Sequence, residues 1–307
     1  MITDKKTGVL MGGSSFEREV SLKSGAAVYK ALSDIEYNVV SIDVGRDIPF
    51  VLRDKGVELA FVVLHGGHGE NGTLQGLLEV MGIPYTGSGV LASALAMDKI
   101  ASKKIFMHHK LPVPAFQILI DNVNSLEQIK TDFPLPWVVK PAFEGSSIGV
   151  SIVRENDKIT DALKHAFFYS NSVIVEKYIQ GKEVQIGILG NRVLGGVEVR
   201  PSLEFYNFEA KYTAGLTEYI IPPKVNPDVY QKAKLIALQA HNVLGCSGVT
   251  RVDLIIEDSG APYILEVNTI PGMTETSLIP KIAAHAGMTF SQILEEMIRL
   301  AVEKPRP

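Results

Sequence analysis

The sequence predicts a mixed fold: a parallel-sheet α/β domain over residues 1–97, a small α+β domain over 98–182 and a second α+β domain over 183–307. Three observations carry this. Strand and helix patterns alternate through the first hundred residues, which implies parallel strands joined by right-handed crossovers. The pattern breaks at Lys110-Leu111-Pro112-Val113-Pro114, and short strands around one helix follow. Then Glu183-Val184-Gln185-Ile186-Gly187-Ile188 alternates polar and apolar residues, as a half-exposed antiparallel strand does. A length of 307 residues agrees with two or three domains.

The elements follow in order. Val9-Leu10-Met11 is a short apolar strand ending at Gly12-Gly13, and helical spacing after it puts Val20, Ala27, Val28 and Leu32 on one face. Val39-Val40-Ser41-Ile42 reads as a second strand. Leu59 to Leu64 is a third, buried on both faces because it lacks polar alternation. Gly87-Ser88-Gly89-Val90-Leu91-Ala92 fits a dinucleotide-binding spacing, but the strand before it is short and no acid lies where a ribose partner is needed. A turn into a helix is the better reading. A helix is expected over Asp98–His109, then strands at Trp137–Lys140 and Val173–Glu176 with a helix around 156–168 between them. Further strands are expected at Val249–Ile256 and Tyr263–Val267, helices at 227–243 and 289–302, and a frayed tail from Glu303.

Composition narrows the function. A formal net charge of −4 leaves no basic footprint for nucleic acid. No apolar stretch approaches the ~18 residues that span a bilayer, and the first apolar run is too short for a signal-peptide core. The single cysteine, Cys246, cannot form an intrachain disulfide, which agrees with a reducing, cytoplasmic setting. Its apolar neighbours suggest a small buried hydrophobe.

Four segments could carry chemistry. Asp253 lies in one predicted strand and Glu266 and Asn268 in the next, with turn-like Glu257-Asp258-Ser259-Gly260 between. Residues i and i+2 of a strand share a face. A hairpin therefore gathers two carboxylates and an amide oxygen, a set suited to Mg²⁺; a solvated polar face is the alternative. Lys140 precedes the loop Glu144-Gly145-Ser146-Ser147, which could cover phosphates with backbone N–H groups or be an ordinary flexible hairpin. Glu17 follows Gly12-Gly13-Ser14-Ser15 between a strand and a helix, where its charge could simply favour the helix start. His65 ends a buried strand, at the sheet edge where α/β proteins bind ligands, and His68 reads as an exposed loop residue.

Taken together, these segments resemble the D-alanine–D-alanine ligases of the ATP-grasp superfamily. The resemblance runs in order through Gly12–Ser21, His65–Gly76, Tyr85–Gly89, Met97-Asp98-Lys99, Lys140-Pro141, Glu144–Ser147, Glu209–Tyr212, Arg251–Asp253 and Glu266–Thr274. It implies an ATP-grasp fold with a Rossmann-like N-terminal domain and a nucleotide between the other two domains. It implies ATP-driven joining of two D-alanine molecules through a D-alanyl phosphate, for peptidoglycan precursors, by a cytoplasmic homodimer.

The resemblance also implies roles. Lys99 and Lys140 contact ATP phosphates, Glu176 and Lys177 line the adenine pocket, and Glu183 holds the ribose. Asp253, Glu266 and Asn268 bind two Mg²⁺ or Mn²⁺ ions. Glu17 holds the first substrate's ammonium and forms a relay with Ser146, which also borders the nucleotide, and Tyr212. His65 lies near the first substrate. Lys211 meets the transferring phosphate, Arg251 and the Gly272 N–H stabilise the oxyanion, and Ser277 anchors the second substrate's carboxylate. The Glu209–Tyr212 match favours the dipeptide over an ester to D-lactate. Asn71 departs from the family, where many relatives carry Asp.

Overall fold

The first apolar run forms β1 (Thr7–Met11), which is buried along its whole length. It is flanked by parallel partners β2 (Val39–Asp43) and β3 (Leu59–Val62), in the order β2-β1-β3. This computed structural model describes residues 2–303 apart from 121–128, 130, 204–205, 207–208, 211–212, 214 and 275–276. Helix α1 (Arg18–Asp34) crosses between β1 and β2 and buries Ser21, Ser24, Gly25, Val28 and Leu32. Val20 and Ala27, expected on the buried face, are only half-buried. The helix approaches β1 too closely for larger groups: a Cβ on Gly25 would lie 2.5 Å from Met11 Cβ. Ser21 Oγ accepts the Gly12 N–H and donates to the Val63 carbonyl, tying helix to sheet.

Four short helices follow, α2 (Ile48–Asp54), α3 (Gly67–Glu70), α4 (Thr73–Val80) and α5 (Val90–Met97). The Gly87–Gly89 segment does turn into a helix, α5. Helix α6 (Lys99–His108) starts at Asp98, whose carboxylate accepts the Ile100 and Ala101 N–H groups. That cap satisfies two donors that the first turn leaves free.

The second sheet is antiparallel, order β4-β7-β5-β6, built from β4 (Phe116–Ile120), β5 (Trp137–Pro141), β6 (Ser151–Val153) and β7 (Ser172–Lys177). Helix α7 (Ile159–Tyr169) packs Leu163 and Ala166 against Val139, Val173 and Val175.

The third sheet has the order β10-β9-β8-β11-β12. Its strands are β8 (Gly181–Leu189), β9 (Arg192–Pro201), β10 (Thr217–Ile220), β11 (Val249–Glu257) and β12 (Pro262–Asn268). Helix α8 (Pro227–Val243) covers one face, where Val184, Ile186, Val252 and Leu254 meet Ala233, Ile236 and Ala237. The expected half-exposure of β8 does not hold: Gln185 and Gly187 are buried. As the central strand, β8 has its polar face covered too, in part by Ile279 and Ile282 of α9 (Leu278–His285), which lie against Gly187. Alternation there separates two covered faces, one apolar and one lined for chemistry.

Helix α10 (Phe290–Glu303) returns to the first domain, its Leu294 and Met297 sharing a core with Val28 and Leu32 of α1. Glu303 belongs to this helix and not to a tail; residues 304–307 lie outside the described residues. Cys246 is half-buried beside the core under α8, and burial pushes its thiol up to about 11, as an inert hydrophobe requires. Among the described residues no helix is long and apolar enough to cross a membrane.

Candidate active site

The β11–β12 hairpin sets the floor of the site. Its register places Arg251 opposite Asn268 and Asp253 opposite Glu266, so all four side chains share one face. The register slips after Asp253, and this bulge lets Leu265 and Glu266 both line the cleft. Arg251 donates to both oxygens of Asp253, at 2.7 and 2.8 Å. Burial alone would lower the Arg251 pKa, but the Asp253 carboxylate outweighs it and keeps the guanidinium charged. Asn268 Oδ1 accepts the Ile270 N–H at 3.0 Å, which steers the chain into the Thr269–Gly272 loop.

Two cavities open on this floor. The larger, about 780 Å³, lies between the hairpin and the N-terminal loops. Glu17, His65, Ser146, Arg251, Asn268, Gly272 and Ser277 line it. Ser146 Oγ donates to Glu17 Oε1 across 129 positions of sequence, joining α1 to the loop after β5. Glu17 is buried at the N-cap position of α1 and makes no side-chain cap hydrogen bond, so its charge sits at the helix start while its carboxylate serves this contact. His65 is buried with Nε2 3.3 Å from Ser24 Oγ; burial lowers its pKa despite the nearby Glu17 charge, which favours the neutral ring. Ser277 Oγ lies 2.8 Å from Thr274 Oγ1 and would sit 2.9 Å from any Cβ on Gly272, so a side chain there would close the corner. His68 is exposed, on α3 and not in a loop.

The smaller cavity, about 180 Å³, lies between the second and third sheets. Lys140, Glu176, Lys177, Glu183 and Asp253 line it, and Lys177 is exposed at its edge. Glu176 is buried with Lys140 Nζ 2.9 Å from Oε2. Gln185 donates to Glu183 Oε1 at 2.8 Å, which orients that carboxylate. Ser146 borders only the larger cavity, and its neighbour Ser147 borders the smaller one.

Lys99, Glu144, Tyr206 and Glu266 line both cavities. Lys99 Nζ donates to the Glu144 carbonyl at 2.6 Å and lies 3.2 Å from Glu266 Oε2. The two cavities therefore meet at a buried cation beside a carboxylate. Lys211 and Tyr212 lie outside the described residues.

Sequence reasoning missed several groups. Glu70 lines the larger cavity and is buried, its Oε2 accepting the Gly66 N–H at 2.8 Å. Tyr206 joins the cavities, its hydroxyl 3.1 Å from that of Tyr219. Lys103 backs Glu176 from α6; its four-residue spacing from Lys99 was the available cue. Asn71 uses its amide oxygen to accept the Thr73 N–H at the start of α4, which a carboxylate would do equally well.

The fold, with a cleft between two antiparallel sheets and a second cavity meeting it over an acidic hairpin, defines an ATP-grasp enzyme. Two family models match, described as the D-ala D-ala ligase N-terminus, over residues 6–58 and 52–88, and the D-ala D-ala ligase C-terminus, over 105–299. The D-alanine–D-alanine ligase of Geotalea uraniireducens is 50% identical over 300 residues, covering 98% of this chain and 96% of its own. That of Desulforudis audaxviator is 51% identical over 308 residues, covering 98% and 99%. The ATP complex of D-alanine–D-alanine ligase from Bacillus anthracis superposes with a TM-score of 0.84 at 33% identity, over 97% of each chain. The VanG D-Ala:D-Ser ligase of Enterococcus faecalis gives 0.85 at 30% identity, over 97% of this chain and 99% of that one. The chain belongs to the D-alanine–D-alanine ligase family and is an ATP-dependent ligase.

Proposed function

We propose that the smaller cavity takes ATP, the larger takes two D-alanine molecules, and the group transfer occurs where they meet. The observation that carries this is the shared wall of Lys99, Glu144, Tyr206 and Glu266. A phosphoryl group has to pass from one ligand to the other there, and Lys99 is placed to offset its charge. Lys140 takes other phosphate oxygens. Glu176 and Lys177 border the adenine, and Glu183 accepts from the ribose hydroxyls.

Asp253, Glu266 and Asn268 offer two carboxylates and one amide oxygen on one face, which fits Mg²⁺ or Mn²⁺ ions that keep phosphate oxygens as further ligands. Two such ions would supply charge neutralisation on the triphosphate when bound.

Glu17 holds the first substrate's ammonium, and His65 stands beside it. The carboxylate of that D-alanine attacks the γ-phosphorus, the bond to the bridging oxygen breaks, and ADP departs. Lys211 meets the phosphoryl group. The product is an acyl phosphate, which a carboxylate must become before an amine can displace an oxygen from it. Ser277 anchors the second D-alanine's carboxylate. Its amine, after losing a proton, attacks the acyl carbon. Arg251 and the Gly272 N–H stabilise the tetrahedral oxyanion, which collapses to the dipeptide and phosphate. The relay of Glu17, Ser146 and Tyr212 keeps the N-terminal loop and the loop after β5 together over the reacting groups.

We assign the three domains to residues 1–97, 98–182 and 183–307, and the molecule to the bacterial cytoplasm as a homodimer serving cell-wall precursor synthesis. The lone half-buried Cys246 agrees with that compartment. Mass spectrometry of products formed from ATP, Mg²⁺ and D-alanine tests the reaction, with L-alanine, D-serine and D-lactate in parallel. D-Alanyl-D-alanine as the main product is expected; a dominant mixed product with D-serine or an ester with D-lactate would overturn the acceptor assignment.

A further inference from the structure

Lys103 follows Lys99 by one turn of α6 and is fully buried. Its ammonium lies 2.7 Å from Glu176 Oε1, within ion-pair distance but angled away from hydrogen-bond geometry. The other oxygen of the same carboxylate, Oε2, faces Lys140 Nζ at 2.9 Å. The Phe116 ring lies 5.5 Å from Lys103 Nζ on the β4 side. Glu176 and Lys140 border the smaller cavity, whereas Lys103 stands behind them and does not reach it.

The charge balance gives this cluster a purpose. Two ammonium groups share one carboxylate, so the cluster carries one positive charge in excess. Burial drives the Lys103 pKa down to about 8, with Glu176 resisting, so Lys103 is still charged at neutral pH. For Glu176 burial pushes upward, yet the two lysines together hold it below the usual carboxylate range. A phosphate entering the cavity competes with Glu176 for Lys140. Were Lys140 the only partner, its departure would leave a buried carboxylate uncompensated, a strongly unfavourable state. Lys103 on the far oxygen removes that obstacle.

We infer that Lys103 is a positioning residue for nucleotide binding: it neutralises Glu176 from behind and so frees Lys140 to turn its ammonium onto a nucleotide phosphate. This rests on assigning the smaller cavity to ATP. The four-residue spacing puts Lys103 on the same side of α6 as Lys99, but its partners come from β5 and β7 and meet it only on folding.

The test measures ATP dissociation constants by calorimetry, with kcat and KM for D-alanine, on the full chain. Lys140→Met is the control for the cavity: undiminished ATP binding by it would overturn the ATP assignment and this inference together. Given weakened binding in that control, Lys103→Met is expected to weaken ATP binding about tenfold, with kcat at saturating ATP and KM for D-alanine within about twofold of wild type. Lys103→Arg keeps a positive charge beside Glu176 Oε1 and is expected to keep ATP binding within about threefold of wild type. Lys103→Gln removes the charge but keeps much of the side-chain volume and a donor for Glu176 Oε1, and it leaves Glu176 paired with Lys140, so it carries the test with the same expected loss of about tenfold if Lys103→Met does not fold. Wild-type ATP affinity in Lys103→Met or Lys103→Gln, equal losses in every kinetic constant, or a loss of about tenfold in Lys103→Arg as well would each overturn the inference.

Discussion

Glu70 shows how far one cavity wall can alter a single side chain. Burial, and then the charge of Glu17, raise its pKa from 4.5 to about 8, although the Gly66 N–H favours the carboxylate. The folded chain thus holds a proton that the unfolded chain releases near 4.5. Between these values the folded state binds more protons, so this group's contribution to stability falls as pH rises from about 4.5 to about 8. Glu70→Gln should remove that dependence. The melting temperature of the variant relative to wild type should climb by several degrees between pH 5 and pH 8; a constant difference would refute the assignment. Glu266→Gln makes a second test at this scale. It keeps the shape of β12 but takes a charge from the point where the cavities meet, so kcat should fall by ~10²-fold or more with the fold intact by circular dichroism. An unchanged rate at saturating Mg²⁺ would count against the metal-ligand role.

At the scale of elements, the loop after β5 and the β11–β12 hairpin divide the work. Strand β11 is paired on both sides, with β8 and with the edge strand β12, and a one-residue slip in the hairpin register would turn Asp253 and Glu266 away from the cleft. The loop is strained: Ser146 and Ser147 have φ of +49° and +59°, a left-handed conformation that costs an L-residue about 1–2 kcal/mol. The strain is offset by contacts, Ser146 Oγ to Glu17 and Ser147 Oγ to the Tyr206 carbonyl at 3.0 Å. Ser146→Gly relieves the backbone and deletes the hydroxyl. It should melt within a few degrees of wild type while kcat falls about tenfold or more and KM for ATP changes little. Ser146→Ala should lose the same turnover and melt lower, because it keeps the strain without the hydrogen bond. Equal losses in nucleotide affinity would show that the loop serves ATP and not the linkage between domains.

The first and third domains share one core, and a few returning elements join it to the rest of the molecule. Helix α10 packs on α1, and Ser247 exchanges hydrogen bonds with Ser88, so the third sheet is fixed to the first domain. The second sheet meets the third across the smaller cavity, so a ligand there would touch both. Mg-ATP should therefore raise the melting temperature by several degrees at a hundredfold excess over Kd, where linkage supplies ~2.7 kcal/mol. Excess chelator should remove most of that rise; a shift that ignores the chelator would separate nucleotide binding from the acidic hairpin.

The sequence by itself determined what short-range geometry controls. Strand alternation put Asp253, Glu266 and Asn268 on one face, because a strand repeats every two residues wherever it lies, and the ordered motifs carried the family. It could not show that β8 has two covered faces, that Leu265 sits in a bulge, or that small residues at Ser21, Ser24 and Gly25 decide which side of α1 is buried. Nor could it pair Ser146 with Glu17 or set Lys103, Glu176 and Lys140 in one cluster. Those facts depend on distances between sheets, which only the packed chain fixes. Burial then makes such distances matter, since a charge removed from water answers chiefly to the few groups beside it.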